Sequence, residues 1–386
     1  MRRLVIACTV APILGLAAMP ARPEAADSLE ALRAEITSLK AEQTERDARL
    51  HVSGDFRLRY EGNYGDVDAD DWDRGVLRAR LHADYAVTRW FTVGGRLATG
   101  DPDDPNSTDV TLSNFADDLD FSLDQAYARV DAGDLRAWGG KFPLPFVRTD
   151  VVWDGDVNPQ GVGGTYHLPL ARGGAIQVSG LYFLVDESVA GSDSSMVGAQ
   201  VGIDAPLGEA LRFDLSVAGY DYSLRSVAGA DAGDFRSNLI GPDGRYVSDF
   251  NLLDVIAGAS WTGLAEHWPV RLLAEYVHNT GARTPGDTAY NLELSAGRAR
   301  EKGDWRFGYG FSQAEVDAVL AAFSHDNTTL PTNYRQHTLY VNYVPLDNLT
   351  LDATYYHYRP YSAEFVGAGD PGDWLDRVRL NFLVAF

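Results

Sequence analysis

From His51 to the last residue the chain alternates with a period of two, and a period-two chain of this length must bury its strands in a sheet. Phe56, Leu58 and Tyr60 alternate with Asp55, Arg57 and Arg59, and Leu77, Ala79, Leu81, Ala83 and Tyr85 alternate with Arg78, Arg80, His82 and Asp84. The register recurs in Leu211, Phe213, Leu215 and Val217, in Tyr290, Leu292, Leu294 and Ala296, and in Trp305, Phe307, Tyr309 and Phe311. One face is apolar and the other is charged. A small soluble barrel needs the reverse, because its interior must be packed with side chains.

The last strand, Trp374–Phe386, follows the same rule. Val378, Leu380, Phe382, Val384 and Phe386 alternate with Arg377, Arg379, Asn381, Leu383 and Ala385. Ending on an aromatic carboxylate is a signature of outer-membrane barrels, whose aromatic girdle and assembly machinery use that residue. Phe386 is therefore expected to meet both the lipid and the barrel-assembly machinery. Apolar residues facing lipid around a wet interior would satisfy the pattern.

Counting every such run gives about sixteen strands, an even number as single-chain bacterial barrels require. They are expected to begin near Leu50, Asp73, Arg89, Phe121, Asp134, Gln160, Gly173, Asp193, Glu209, Leu252, His267, Asp287, Gly303, Asn333, Asn348 and Asp373. Short connections such as Val87–Arg89, Asp131–Asp134 and Pro345–Asn348 follow even strands. Long ones such as Gly100–Asp120, Ser223–Asn251, Gln313–Thr332 and Arg359–Gly372 follow odd strands. The expected fold is all-β, a transmembrane antiparallel up-and-down barrel with short periplasmic turns and long external loops.

Two other segments precede the alternation. Arg2 and Arg3 before the apolar run Leu4–Ala18 read as a secretory signal peptide, placed at residues 1–26, which holds Cys8, the only cysteine. Residues 27–50 are charged and free of Gly and Pro, with Leu29, Leu32, Ile36 and Leu39 at heptad spacing. Two heptads are marginal alone. They are expected to form a short periplasmic helical bundle beneath an oligomer. No later window of about eighteen apolar residues exists, so no membrane-spanning helix is expected.

With 55 Asp+Glu against 33 Lys+Arg, a net charge of −22, the chain is a poor partner for nucleic acid. It shows no GxSxG, HExxH or P-loop motif, its eight histidines are scattered, and neither an enzyme activity nor a cofactor is expected. The acid-rich stretches Asp66–Asp73 and Asp101–Asp109 offer oxygen ligands but lack EF-hand spacing, and read as solvated acids. No metal is expected.

What the alternation does sort is charge. Arg57, Arg59, Arg78, Arg80 and Arg96 fall on the inward face of the first three strands, and Lys141 closes the fifth. The segment Phe142–Gln160 that follows is too long for a hairpin and is stiffened by Pro143, Pro145 and Pro159. Val151, Val152 and Trp153 can pack on a wall, while Arg148, Asp150, Asp154 and Asp156 carry charge. It is expected to fold inward at about 142–160 and set carboxylates opposite the arginines, a field that filters solutes by size and charge.

The runs DRGVLRARLHADYAV (73–87), FTVGGRLATGDPDDPNST (91–108), LDQAYARV (123–130) and GKFPLPFVRTDVVWDGDVNPQG (140–161), with the terminal Phe386, resemble the putative porin family of Gram-negative outer membranes. The resemblance implies a passive diffusion channel for small hydrophilic solutes and ions, a homotrimer, and a narrowing loop at the segment just described. The heptads also resemble those preceding some anion-selective, phosphate-type porins. The chain lacks the PEFGG-type motif of general-porin loops. Two other readings are an anion-selective channel and a structural or adhesive barrel with a plugged lumen, tethering the envelope through the heptads.

Overall fold

The computed structural model describes residues 30–38, 40, 49–65, 71–112, 118–189, 191–225, 237–265, 267–363 and 369–386. They fall in two units, divided after Arg49. In the first, residues 30–38 are helical, with Leu32 and Ile36 exposed on that turn of helix. Leu29, Leu39 and the expected signal peptide lie outside the described residues.

The second unit is a closed antiparallel barrel. Its strands are β1 Leu50–Tyr64, β2 Trp72–Ala86, β3 Phe91–Thr99, β4 Val110–Thr111, β5 Phe121–Ala132, β6 Leu135–Lys141, β7 Gln160–Pro169, β8 Ala175–Asp186 and β9 Ser194–Pro206. They continue as β10 Leu211–Ser223, β11 Asn251–Trp261, β12 Val270–Asn279, β13 Thr288–Gly297, β14 Trp305–Ala314, β15 Tyr334–Leu346, β16 Leu349–Pro360 and β17 Leu375–Ala385. The two-residue β4 only extends the edge of β2 at Val76 and Leu77. The other sixteen make the wall, and each expected start falls within three residues of the observed one.

Closure is made by β1 against β17, from Asp55↔Ala385 to Tyr64↔Asp376. At the seam Gly54 and Phe386 exchange both backbone hydrogen bonds, at 2.9 and 3.0 Å. A side chain at Gly54 would meet the Arg80 carbonyl at 2.5 Å and the Phe386 ring at 2.7 Å, so the close approach needs a residue without Cβ.

Outward positions carry the apolar set. Leu58, Tyr60, Leu81, Leu97, Leu292, Phe307, Leu339, Leu380 and Phe382 are all exposed. Their alternates Arg59, Glu61, Arg78, Arg377 and Arg379 are buried inside. No described helix is long and apolar enough to cross a membrane.

One expectation is corrected here. The connection Gln313–Thr332 was expected as an external loop, but residues 316–325 are buried throughout and Val316, Asp317, Val319 and Ser324 are fully so. It folds into the barrel, because its apolar residues Val319, Leu320, Ala322 and Phe323 find the apolar face of the segment 142–159 there. Together the two loops and one side of the wall form a hydrophobic core inside the lumen, including Phe142, Phe146, Trp153, Phe183, Tyr220, Tyr222 and Phe323. The wet interior inferred from alternation is therefore confined to part of the cross-section.

Candidate functional site

The inner segment leaves β6 at Phe142, which is fully buried and stacks on Trp138 with ring centres 6.1 Å apart. Its base is closed by Phe142 N donating to Pro159 O at 3.0 Å. A backbone crossing the lumen must find partners for its own polar groups. Gln200 supplies a pair, its Oε1 accepting from Val147 N and its Nε2 donating to Val147 O, both at 2.7 Å. Thr149 Oγ1 donates to Glu275 on the wall.

Trp153 is the anchor. It is fully buried, stacked on Phe323 at 5.6 Å and set edge-on to Tyr220 at 5.6 Å. The second loop bonds to the first along its length: Asp154 N donates to Phe323 O at 2.8 Å, Ser324 Oγ to Val151 O at 2.9 Å, and His325 N to Asp150 O at 3.1 Å. That loop is held in turn by Asn238, whose Nδ2 donates to Val316 O at 2.8 Å and whose Oδ1 accepts from Ala321 N at 2.7 Å. Ser248 Oγ donates to Asp317 at 2.6 Å.

On the opposite wall the arginines form a continuous inner strip, each within reach of a carboxylate. Arg57 and Arg59 share Asp109, the latter at 2.7 Å. Arg78 and Arg80 share Asp55 at 2.9 and 2.7 Å, and Arg96 pairs with Asp124. A bulge in β5 makes the last pair possible: Arg96 faces Gln125 while Leu97 faces Leu123, so the extra residue Asp124 turns inward without moving Leu123 off the outer face.

Two arginines missing from the expected set complete the strip. Arg379 Nε donates to Glu61 at 2.6 Å and Arg377 NH1 lies 3.8 Å from the same carboxylate. Arg74 reaches Glu61 at 2.7 Å from the other side. The alternation in β17 marks both as inward, but only ring closure makes them neighbours of Arg59.

The segment touches this strip rather than facing it across open space. Asp156 accepts from Arg80 NH1 at 2.7 Å and from Thr108 Oγ1 at 2.8 Å, and Arg78 lies 4.0 Å away. Beside it Asn158 Nδ2 donates to Asp124 at 2.9 Å and Gln125 Nε2 donates to Asn158 at 2.7 Å. Arg148 and Asp150 sit on the other flank, bonded to each other at 3.1 Å. Lys141 lines a cavity of about 270 Å³ toward the loop end, with Asp101, Asp124, Asp156 and Phe323. Toward the turn end a cavity of about 520 Å³ is lined by Asp55, Arg80, His82, Arg96, Arg148 and Asn158. Val157 and Asn158 border both.

Position decides the charge of the loop carboxyls. Burial would raise Asp156, but Arg80, Arg78 and the Thr108 hydroxyl bring it below the ordinary range. Burial likewise opposes Asp326, yet Arg379, Arg59, the Ser107 hydroxyl and Arg57 bring it down to about 2. Burial pushes Asp154 well above that range, and Asp150, Asp326 and Asp156 push it further. A carboxyl raised in the folded state binds its proton more tightly there than in the unfolded chain, so its contribution is complete below pH ~4 and is lost as pH rises through the raised value. Asp156 and Asp326 act oppositely, losing their contribution as pH falls below ~4, for Asp326 on the way to about 2. Replacing Asp154 by Asn should therefore flatten the loss of thermal stability on the alkaline side. Melting curves of the detergent-folded variant and parent from pH 4 to 9 measure this, and parallel curves would count against it.

Of the acid-rich stretches, residues 66–70 lie outside the described residues. In the other, Asp101 and Asp104 accept from backbone N–H groups two residues on, at 3.0 and 3.3 Å, and Asp109 is taken by the arginines. Among the described residues no group of three His, Cys, Asp or Glu could hold a metal ion.

The model of the putative porin family matches residues 65–234. That stretch is similar to porin sequence. It spans β2 to β10, and so holds the inner segment, Arg78, Arg80, Arg96 and Lys141. No curated protein matches the chain. Among solved structures, OprB of Pseudomonas putida at high pH is 15% identical with a TM-score of 0.59, over 90% of this chain and 97% of that one. OmpF of Salmonella typhi, solved in complex with daunomycin, is 12% identical with a TM-score of 0.53, over 87% and 97%. At these identities the likeness is one of fold, and the fold is that of outer-membrane porin barrels.

Proposed function

We propose that this is an outer-membrane channel for passive diffusion of small hydrophilic solutes and ions, and not an enzyme. The observation that carries the reading is the pair of cavities with charged lining where the arginine wall meets the inserted loops, one on either side of Val157 and Asn158. Solutes pass along that wall, and Arg80, Asp156, Asn158 and Asp124 form the narrowest point. Arg57, Arg59, Arg78, Arg96 and Lys141 line the approach; Arg148, Asp150 and Asp154 shape the segment that narrows it. The turn end, with both barrel termini, faces the periplasm, the heptads form a short bundle there beneath a trimer, and Phe386 is read by the assembly machinery.

Strong anion selectivity is not part of this reading. Arg57, Arg59, Arg78, Arg80, Arg96, Arg377 and Arg379 lie among six carboxylates, Asp55, Glu61, Asp109, Asp124, Asp156 and Asp326, so the strip carries little net charge. Removing the cations alone should unbalance it. With Arg57 and Arg59 both replaced by Gln, Asp109 is left uncompensated. One unit charge about 4 Å from a passing ion in water is worth ~1 kcal/mol, or about fivefold in permeability ratio toward cations. Reversal potentials under a salt gradient in planar bilayers measure this, and an unmoved potential would place these side chains off the path.

A second reading draws on the apolar core inside the lumen. A barrel so plugged would serve as an envelope tether and pass no current.

A further inference from the structure

On the outside of the barrel, near the loop end, β15 and β16 set Arg335 directly opposite Arg359 and His337 directly opposite His357. These are outward positions, because their alternates Tyr334, Gln336, Tyr356 and Tyr358 are buried inside and Leu339, next on the same face, is exposed. Like charges on directly opposed residues of an antiparallel pair destabilise it. Charge on the lipid face costs least near the membrane boundary and most at its midplane. Two guanidinium groups at one height on that face, with the neighbouring Asp376 carboxylate taken by His357, therefore call for an anion from outside the chain.

The groups are held in place. Arg359 lies over the Trp374 ring at 4.7 Å and donates to Pro371 O at 2.9 Å, while Arg335 lies 5.7 Å from the Tyr361 ring and donates to Gln313 at 3.0 Å. Trp374 stacks on His357 at 4.0 Å, and Tyr309 OH is 2.8 Å from His337 Nδ1. Among the described residues, Asp376 and Glu315 border the patch. Asp376 is occupied by His357 at 2.7 Å and Tyr355 OH at 2.6 Å, and Glu315 accepts from Thr288 N at 3.0 Å. Directly below, the same face turns apolar with Leu339, Leu351 and Leu380. Cations and an interfacial Trp above a greasy surface match a lipid whose phosphate is at the top and whose chains run down the wall.

We propose that this patch binds the anionic phosphate headgroup of a membrane lipid, held by Arg335 and Arg359 with His337 and His357 beneath. The proposal rests on the membrane reading of the barrel, not on its conducting. Native mass spectrometry of the whole protein in an uncharged detergent, titrated with phosphatidylglycerol or phosphatidylcholine, tests it. Phosphatidylglycerol should be retained at least tenfold more tightly. Arg335→Gln with Arg359→Gln should lose most of that preference, two surface arginines being worth about thirtyfold, and Arg335→Lys with Arg359→Lys should keep most of it.

Four results would overturn the proposal: equal retention of the two lipids, an unchanged preference in the Gln pair, displacement by millimolar inorganic phosphate, which would mean a free-anion site, or a Gln pair that changes oligomeric state with lipid preference intact, which would mean that a second copy covers the face. Heat-modified electrophoretic migration establishes that each variant is folded. Equal retention of the two lipids by a parent that shows channel steps tells against this site alone, and absent steps in the parent with the preference intact tell against conduction alone.

Discussion

Alanine in place of Trp153 is expected to free the inner segment while leaving the barrel closed. The ring is fully buried among Phe183, Tyr220, Tyr222 and Phe323, and both inserted loops pack on it. Emptying such a site costs about 3–5 kcal/mol, through lost transfer energy and the cavity left behind. The barrel's ladder makes no use of Trp153, so the loss falls on the loops. Single-channel conductance should rise severalfold and become noisy, while heat-modified migration persists. An unchanged conductance with a confirmed cavity would mean that the segment does not limit the path.

The second large effect belongs to Glu61. Its carboxylate is fully buried, accepts from Arg379 at 2.6 Å and lies 2.7 Å from Arg74, with Arg377 at 3.8 Å and Arg59 at 4.0 Å. Glu61→Ala leaves a cluster of buried guanidinium groups without their common partner. Removing one member of a buried ionic group costs about 3–5 kcal/mol. The cluster bridges β1, β2 and β17, which is where the barrel closes. The expected result is a lower melting temperature and slower assembly in detergent micelles. Substitution of Asp109, whose carboxylate accepts from Arg57 and Arg59, should cost less. Equal melting temperatures for the Glu61 variant and the parent would show that the seam does not depend on the cluster.

These two sites also mark what sequence could and could not tell. Strand positions and facing were legible because lipid outside and polar groups inside enforce a strict period of two, and Arg57, Arg59, Arg78, Arg80 and Arg96 could be placed inward from it. The inward course of 142–159 was legible from its prolines and from Val151, Val152 and Trp153. The pairing of Asp156 with Arg80 was not, since residues 76 apart meet only once the segment crosses the lumen. Nor was the bulge at Asp124, which a register argument from one strand cannot see.

The inward course of 316–325 was missed although a signal existed. Val319, Leu320 and Phe323 make an apolar cluster unusual for a solvated loop, but its packing partners lie in the other loop and on the wall. Arg377 and Arg379 were seen on the inward face of β17 and not joined to the ladder, because Glu61 and Arg379 are 318 residues apart and meet only at closure.

The most direct test of the whole account is single-channel recording of the purified full chain in planar bilayers of neutral lipid. A hydrated strip beside two anchored loops predicts discrete, ohmic steps of small size with a reversal potential near zero under a salt gradient. A bilayer that holds heat-modifiable, inserted protein and shows no steps would contradict it, and would leave the inserted loops as a plug.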